Sequence, residues 1–231
     1  MAPNKKSNNS KRKSNKTLFL AIGIIAIILI GIGAYIMVGQ SLNQTPAATP
    51  TPTPTPSTSS TPTPDPAYVN PTKVLLQTSV GNITIELRTD KPITSGNFKT
   101  LVEQGKYDGT IFHRVIAGFM IQGGGISQSI PTIPDEIGSN NRNLPYTIAM
   151  AKTSDPNSAT SQFFINVADN GNNPIDQAGT KFDTVYTVFG RVILGQSVVD
   201  AIANAAVTTN QYGENSQPVQ PVTLIKATMV Y

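Results

Sequence analysis

An uncharged stretch near the N-terminus constrains this chain most. No Lys, Arg, Asp or Glu occurs between Lys16 and Asp65, and the 21 residues Leu18–Val38 are almost entirely apolar. As an α-helix they would span about 32 Å, enough to cross a hydrocarbon core of about 30 Å. We therefore predict a transmembrane signal-anchor helix over residues 17–39.

Two other interpretations of this stretch are open. A buried core helix of this length would normally keep a polar face. A cleaved signal peptide usually has an apolar region of only about 7–15 residues and ends at a small-residue cleavage site. The stretch here is longer, and Gly39-Gln40-Ser41 is a weak cleavage site. An uncleaved anchor is favoured, although the sequence does not establish whether the anchor is cut.

The charge distribution predicts how the chain is oriented. Residues 1–16 contain six basic and no acidic residues, whereas the whole chain has a net charge of +4, so the remainder sums to −2. Because basic residues flank membrane helices on the cytoplasmic side, residues 1–16 are expected in the cytoplasm. The rest of a single-pass protein of the cytoplasmic membrane would then lie outside it. The positive charge belongs to a tail, so no nucleic-acid partner is expected.

A Thr/Pro-rich segment follows the apolar stretch, over residues 40–71. It contains the run Thr49–Pro56 and a second run, Thr61–Pro66, with proline at every second position. Proline lacks a backbone donor and restricts φ, so this segment forms neither helix nor sheet. We predict a disordered tether reaching up to about 80–90 Å. Whether the tether is glycosylated is open.

Residues 72–231 have the length and patterning of one globular domain. Alternation predicts a hairpin of strands 73–79 and 82–88, and helical spacing predicts helices starting near Pro92 and at 195–205. Further strands are expected at about 111–122, 147–150, 162–167, 186–193 and 221–230. Many strands with two helices predict a mainly β fold, either a closed antiparallel barrel or a sandwich.

The residue inventory limits the chemistry of this domain. The chain has no cysteine and a single histidine, His113. Thiolate chemistry, disulfides and histidine-rich metal sites are therefore excluded, and no metal or cofactor is expected. A hydrolase would have to work through His113.

The segment Ile111–Gly125 places polar groups among apolar ones. Alternation puts Phe112, Arg114 and Ile116 on one face of a strand, and a charge among apolar neighbours is costly unless it is paired or used. Together with residues 161–165, this segment predicts an apolar ligand pocket with a few polar donors. Taken singly, its aromatic residues and methionine would be ordinary core, and its arginine a surface ion pair.

The stretch Phe112–Gly124, reading FHRVIAGFMIQGG, closely resembles the signature of the cyclophilins, a family of peptidyl-prolyl isomerases. Ser158–Asn166 looks like the corresponding segment of bacterial cyclophilins, and Val188–Val192 resembles a later strand of the family. The resemblance implies a closed eight-stranded antiparallel β-barrel capped by two α-helices. It also implies Arg114 as the catalytic residue, and as substrate-binding residues Phe119, Met120, Gln122, Ala151, Gln162, Phe164, Ile175 and Tyr186.

Some positions depart from the family pattern. Lys152 follows Ala151, the alanine that is expected to line the peptide groove. Tyr186 stands where many eukaryotic members have histidine. Ile175-Asp176 is taken to replace a Leu-Asp pair at the proline pocket. The chain has no tryptophan, so weak binding of cyclosporin is expected. The loop 169–184 has no firm counterpart.

The resemblance implies a peptidyl-prolyl cis–trans isomerase, and the predicted anchor would make it assist the folding of extracytoplasmic proteins. A monomer is the default expectation for one domain on a single anchor. Its partners would be proline-containing polypeptides, whose identity and preferred flanking residues stay open. A non-catalytic binding module or chaperone for such segments is the alternative. The Thr-Pro bonds of the tether are also candidate substrates in cis.

Overall fold

The computed structural model describes residues 65–175 and 178–231. The predicted basic tail, membrane helix and most of the tether lie outside these residues, as does Asp176. Within the described ranges, no helix is both long and apolar enough to cross a bilayer.

The described residues form eleven strands and two α-helices. The helices are α1 (Pro92–Glu103) and α2 (Gln196–Ala203), and Pro66–Tyr68 and Phe182–Thr184 form short 3-10 helices. The strands are β1 (Lys73–Thr78), β2 (Gly81–Leu87), β3 (Thr110–Phe112), β4 (Arg114–Ile116), β5 (Met120–Gly123), β6 (Thr147–Met150), β7 (Phe163–Asn166), β8 (Val188–Leu194), β9 (Val207–Thr209), β10 (Asn215–Pro218) and β11 (Val222–Val230).

Nine of the strands form one antiparallel sheet that curls into a nearly closed barrel. Its order is β3-β11-β1-β2-β8-β6-β7-β5-β4. The end strands β3 and β4 are consecutive in the chain and are separated only by His113, so the two ends of the sheet meet there. The expected mainly β barrel with two helices is confirmed, but its sheet has nine strands instead of eight and is nearly closed instead of closed. The single strand expected at 111–122 is divided into three strands. One break falls at His113, where the neighbouring strand changes from β11 to β5, and the other falls at the turn that contains Gly118.

The break at His113 also corrects the predicted alternation. Phe112 packs in the main core, whereas Ile116 packs with a second cluster that contains Met120. Phe112 and Arg114 thus do not share an environment, because strict alternation holds only within an unbroken strand.

Helix α1 packs on the barrel through the face that its spacing predicts. Phe98, Leu101 and Val102 are buried in the main core. Asp90, which precedes the helix, does not cap it but accepts hydrogen bonds from Arg88.

The ordered domain begins before Thr72. Ala67 is buried, and its carbonyl accepts a hydrogen bond of 2.9 Å from the backbone N–H of Thr89. The guanidinium carbon of Arg191 lies 3.9 Å from the centre of the Tyr68 ring. An aromatic ring and a buried alanine thus attach the end of the Pro-rich segment to the barrel.

Candidate active site

Three neighbouring strands align the central residues of the site. Arg114 on β4 pairs with Gln122 on β5, and Gln122 pairs with Phe164 on β7. Directly paired residues project from the same face of a sheet, so these side chains form one row. Met120, two positions before Gln122, lies on the same face. The alternate residues Ile121 and Phe163 point into the main core.

Aromatic rings form one side of the site. Phe119, Phe164, Phe182 and Tyr186 constitute the aromatic cluster. Phe164 packs edge-on against Phe182 and Tyr186, with ring centres 5.7 and 5.4 Å apart, and Phe119 lies 5.5 Å from Phe182. These separations are typical of favourable aromatic pairs. Burial raises the pKa of Tyr186 above its ordinary value, so this residue stays a neutral phenol.

The row and the aromatic cluster enclose a cleft of about 330 Å³, part of which is open to solvent. Its lining residues are Arg114, Phe119, Met120, Gln122, Ala151, Lys152, Phe164, Phe182 and Tyr186. The lining is mostly apolar with a few polar groups, which is the general character of a small-ligand site.

Arg114 is fixed by a carboxylate from a distant part of the chain. Its Nε and Nη2 atoms donate to Oε2 and Oε1 of Glu214, each at 2.7 Å. The Nη1 atom lies 3.5 Å from Gln122 Oε1 and 3.8 Å from Met120 Sδ. Burial opposes the charge of Glu214, but hydrogen bonds from Arg114 and Ser216 outweigh it and hold the pKa of this carboxyl below its ordinary value.

Two other polar groups at the cleft are also held in place. Gln122 Nε2 donates to Gln162 Oε1 at 2.9 Å. Lys152 Nζ donates to Asp135 Oδ2 at 2.7 Å, and this ammonium is only slightly exposed. Both cations of the lining, Arg114 and Lys152, therefore have an acidic partner, and the cleft presents oriented donors.

His113 lies beside the row but does not line the cleft. Burial, followed by the nearby charge of Arg114, lowers its pKa below the ordinary value, although hydrogen bonds to Ile111 and Gln162 act in the opposite direction. At neutral pH its imidazole is uncharged. This environment fits a structural residue.

The structure brings most of the predicted site residues together. Seven of them line the cleft, and Gln162 contacts it through Gln122. Ile175 packs against the aromatic cluster without lining the cleft, and Phe182 occupies the lining instead. The sequence reading missed Phe182 and Glu214. Phe182 lies four residues before Tyr186, a spacing at which two side chains can meet when the chain makes a helical turn. No local pattern indicated Glu214.

Comparison with known proteins agrees with the fold. Residues 73–229 match the family "cyclophilin type peptidyl-prolyl cis-trans isomerase/CLD". A peptidyl-prolyl cis-trans isomerase of Acinetobacter baylyi is 49% identical over 162 residues, covering 67% of this chain and 83% of the relative. One of Streptomyces antibioticus is 47% identical over 163 residues, covering 67% and 96%.

Structural similarity extends to a more distant protein. A cyclophilin-type isomerase of Cryptosporidium parvum, crystallised in the presence of the dipeptide Ala-Pro, superposes with a TM-score of 0.56 at 24% identity. The alignment covers 69% of this chain and 99% of that one.

The fold and the cleft define a β-barrel protein with a mostly apolar cleft that carries a few polar groups. The family match and the identity to the two relatives show that the chain belongs to the cyclophilin-type peptidyl-prolyl cis–trans isomerases. It is an enzyme of that activity, which rotates X–Pro peptide bonds.

Proposed function

We propose that Arg114 is the catalytic residue of this isomerase and that the aromatic side of the cleft binds the substrate proline. The observation that carries the proposal is the placement of a fixed guanidinium edge beside an apolar pocket. Nη1 of Arg114 lies 3.8 Å from Met120 Sδ and 3.5 Å from Gln122 Oε1, and both residues line the cleft together with the aromatic residues.

The chemistry requires no proton transfer to an acid–base pair. Amide conjugation opposes rotation by about 18–20 kcal/mol. In the twisted state the prolyl nitrogen regains its lone pair and becomes a hydrogen-bond acceptor. A guanidinium N–H donates to that lone pair only when the bond is twisted, so the interaction selectively lowers the barrier.

The rest of the cleft supplies binding and orientation. Phe119, Met120 and Phe164 form an apolar surface for the pyrrolidine ring, and Gln122, held by Gln162, presents its amide to the peptide backbone. Holding the ring while the acyl side turns keeps the prolyl nitrogen in a fixed position relative to Arg114 during the rotation.

An isomerase assay with matched variants tests the role of Arg114. Exchange NMR on an Ala-Pro peptide measures the rate without a coupled protease, for the fragment 65–231 and for its Arg114→Ala variant. We expect a loss of about 10²–10³-fold in kcat/KM, similar to removal of one oriented donor elsewhere. A folded variant with unchanged activity contradicts the assignment.

We further propose that this bacterial-type cyclophilin is held in the cytoplasmic membrane by residues 17–39, with its domain outside. The support is the 21-residue apolar stretch and the six basic residues before it. The identities to the Acinetobacter and Streptomyces proteins support the bacterial type. The tether would then hold a monomeric foldase near emerging polypeptides.

Cell fractionation followed by protease treatment tests this placement. The full chain should sediment with membranes, and protease added to intact spheroplasts should remove the domain but not the N-terminal tail. A domain protected until the membrane is opened contradicts the orientation.

Cyclosporin is expected to bind weakly, since the chain lacks tryptophan; titration calorimetry measures this.

A further inference from the structure

The hairpin of β9 and β10 brings a carboxylate to the cleft from far along the chain. Glu214 lies 100 positions after Arg114 and contacts two of its three nitrogens, each at 2.7 Å. Both side chains are about nine-tenths buried. Two parallel hydrogen bonds fix the plane of a guanidinium as well as its position.

The turn that carries Glu214 is itself held by a side chain. Oδ1 of Asn210 accepts from the backbone N–H groups of Tyr212 and Glu214, at 2.9 and 3.1 Å. The backbone N–H of Asn210 donates to the carbonyl of Glu214 at 2.8 Å, and its Nδ2 donates to Ser216 Oγ at 3.1 Å. The backbone of Glu214 is thus held by hydrogen bonds of the turn that do not involve Arg114.

We propose that Glu214 is a positioning residue for isomerisation, which holds Nε and Nη2 of Arg114 so that Nη1 stays directed at the cleft. The inference rests on the proposed catalytic role of Arg114. Without this carboxylate, the side chain of Arg114 would sample several rotamers. In most of them the guanidinium would point away from the prolyl nitrogen. Small misplacements of a catalytic group have large effects on rate.

A second arginine–glutamate pair supplies a matched control. Arg191 donates from Nε and Nη2 to Oε2 of Glu86, at 3.0 and 2.8 Å. The Glu86 side chain is as buried as that of Glu214, and neither partner lines the cleft. Glu86→Gln therefore removes a comparable charge and ion pair elsewhere on the barrel.

The experiment uses the full chain in mild detergent and measures kcat and KM on an Ala-Pro peptide. We expect Glu214→Gln to lower kcat about tenfold with KM within about twofold, because the donor is misdirected and the pocket is intact. Glu86→Gln should keep both constants within about twofold. The Nε–Hε NMR signal of Arg114 should shift in Glu214→Gln and not in Glu86→Gln.

A double-mutant cycle separates this inference from the proposed function. If Glu214 acts through Arg114, then Glu214→Gln has no further effect on the rate in an Arg114→Ala background. Unchanged or higher kcat in Glu214→Gln, with Arg114→Ala inactive, overturns the positioning role alone. Unchanged activity in Arg114→Ala overturns the role of Arg114 and the inference with it.

The cycle also guards against a folding defect. An equal loss from Glu214→Gln in both backgrounds shows a general effect on the fold and overturns the inference. If Glu214→Gln does not fold, Glu214→Asp takes its place. Its shorter side chain on the fixed turn reaches one nitrogen of Arg114 and should give an intermediate loss in kcat. Wild-type kcat in a folded Glu214→Asp whose Arg114 signal has shifted also overturns it.

Discussion

Two adjacent phenylalanines on β7 offer a direct test of how the barrel divides core from site. Phe163 points into the main core and contacts three rings, of Phe98, Tyr107 and Phe112. Phe164 points to the cleft and contacts two rings of the aromatic cluster. The two side chains are 0% and 4% exposed. Replacing each by leucine therefore removes a similar buried ring from opposite faces.

The expected magnitudes follow from these contacts. Each aromatic pair contributes about 0.5–1.5 kcal/mol beyond its buried area, and a shape change in a packed core costs up to about 1.5 kcal/mol. The free energy of unfolding should therefore fall by about 1.5–6 kcal/mol in Phe163→Leu, which loses three ring pairs, and by about 1–4.5 kcal/mol in Phe164→Leu, which loses two. Only Phe164→Leu also removes the ring that would face the substrate proline, so its kcat/KM should fall about tenfold, equivalent to about 1.4 kcal/mol.

Urea unfolding and exchange NMR on an Ala-Pro peptide measure the two quantities on the fragment 65–231. Phe163→Leu is the control, since its stability loss should be at least as large and it makes no change at the cleft. Equal activity losses in the two variants would refute the division, because activity would then follow stability rather than the face of the strand.

Three further predictions concern stability and pH. Gly124→Ala should cost about 2–3 kcal/mol in urea unfolding, because φ is +73° and a Cβ would lie 2.7 Å from the Phe163 ring; wild-type stability would contradict this. Burial lowers the pKa of His113, so the unfolded chain binds a proton first and stability should fall as pH drops below about 6.5; His113→Gln should remove this slope and keep kcat/KM within about twofold. The hydrogen bond from Arg88 lowers the pKa of Asp90 to about 2, so its stabilisation should be lost as pH falls from about 4 to 2, and a slope unchanged in Asp90→Asn would exclude this cause.

Local elements were predictable where one residue pattern dominates. The first hairpin was expected at 73–79 and 82–88 and is observed as β1 and β2, Lys73–Thr78 and Gly81–Leu87. Strand 147–150 is confirmed with its bounds, and α1 and α2 lie within the expected segments. Alternation and helical spacing are properties of consecutive residues, so they are visible without a tertiary structure.

The hairpin of β9 and β10 was not predicted. Its strands contain mostly polar residues, including Thr208, Thr209 and Gln217, so they lack the alternation that marks a half-buried strand. Its turn is stabilised by Asn210 and by packing on the barrel rather than by an apolar pattern. A short polar hairpin of this kind is recognisable only from its contacts.

The candidate site was predictable to the extent that it is contiguous in sequence. Arg114, Phe119, Met120 and Gln122 occur within nine residues, and their resemblance to the family signature identified them together. Ile175 was chosen from a loop without a firm counterpart, while Phe182 takes the place in the lining. The choice between two apolar residues of one loop depends on how the loop packs.

The sequence by itself determined the periodic elements, the family signature, and the apolar stretch and tether predicted to precede the domain. Each of these depends on residue types at short spacing. Only the tertiary structure decided that the sheet ends meet at His113, that Phe182 completes the aromatic cluster, and that Glu214 fixes Arg114 across 100 positions. These features are contacts between distant segments, and their energies depend on distances of a few ångströms that no local pattern encodes.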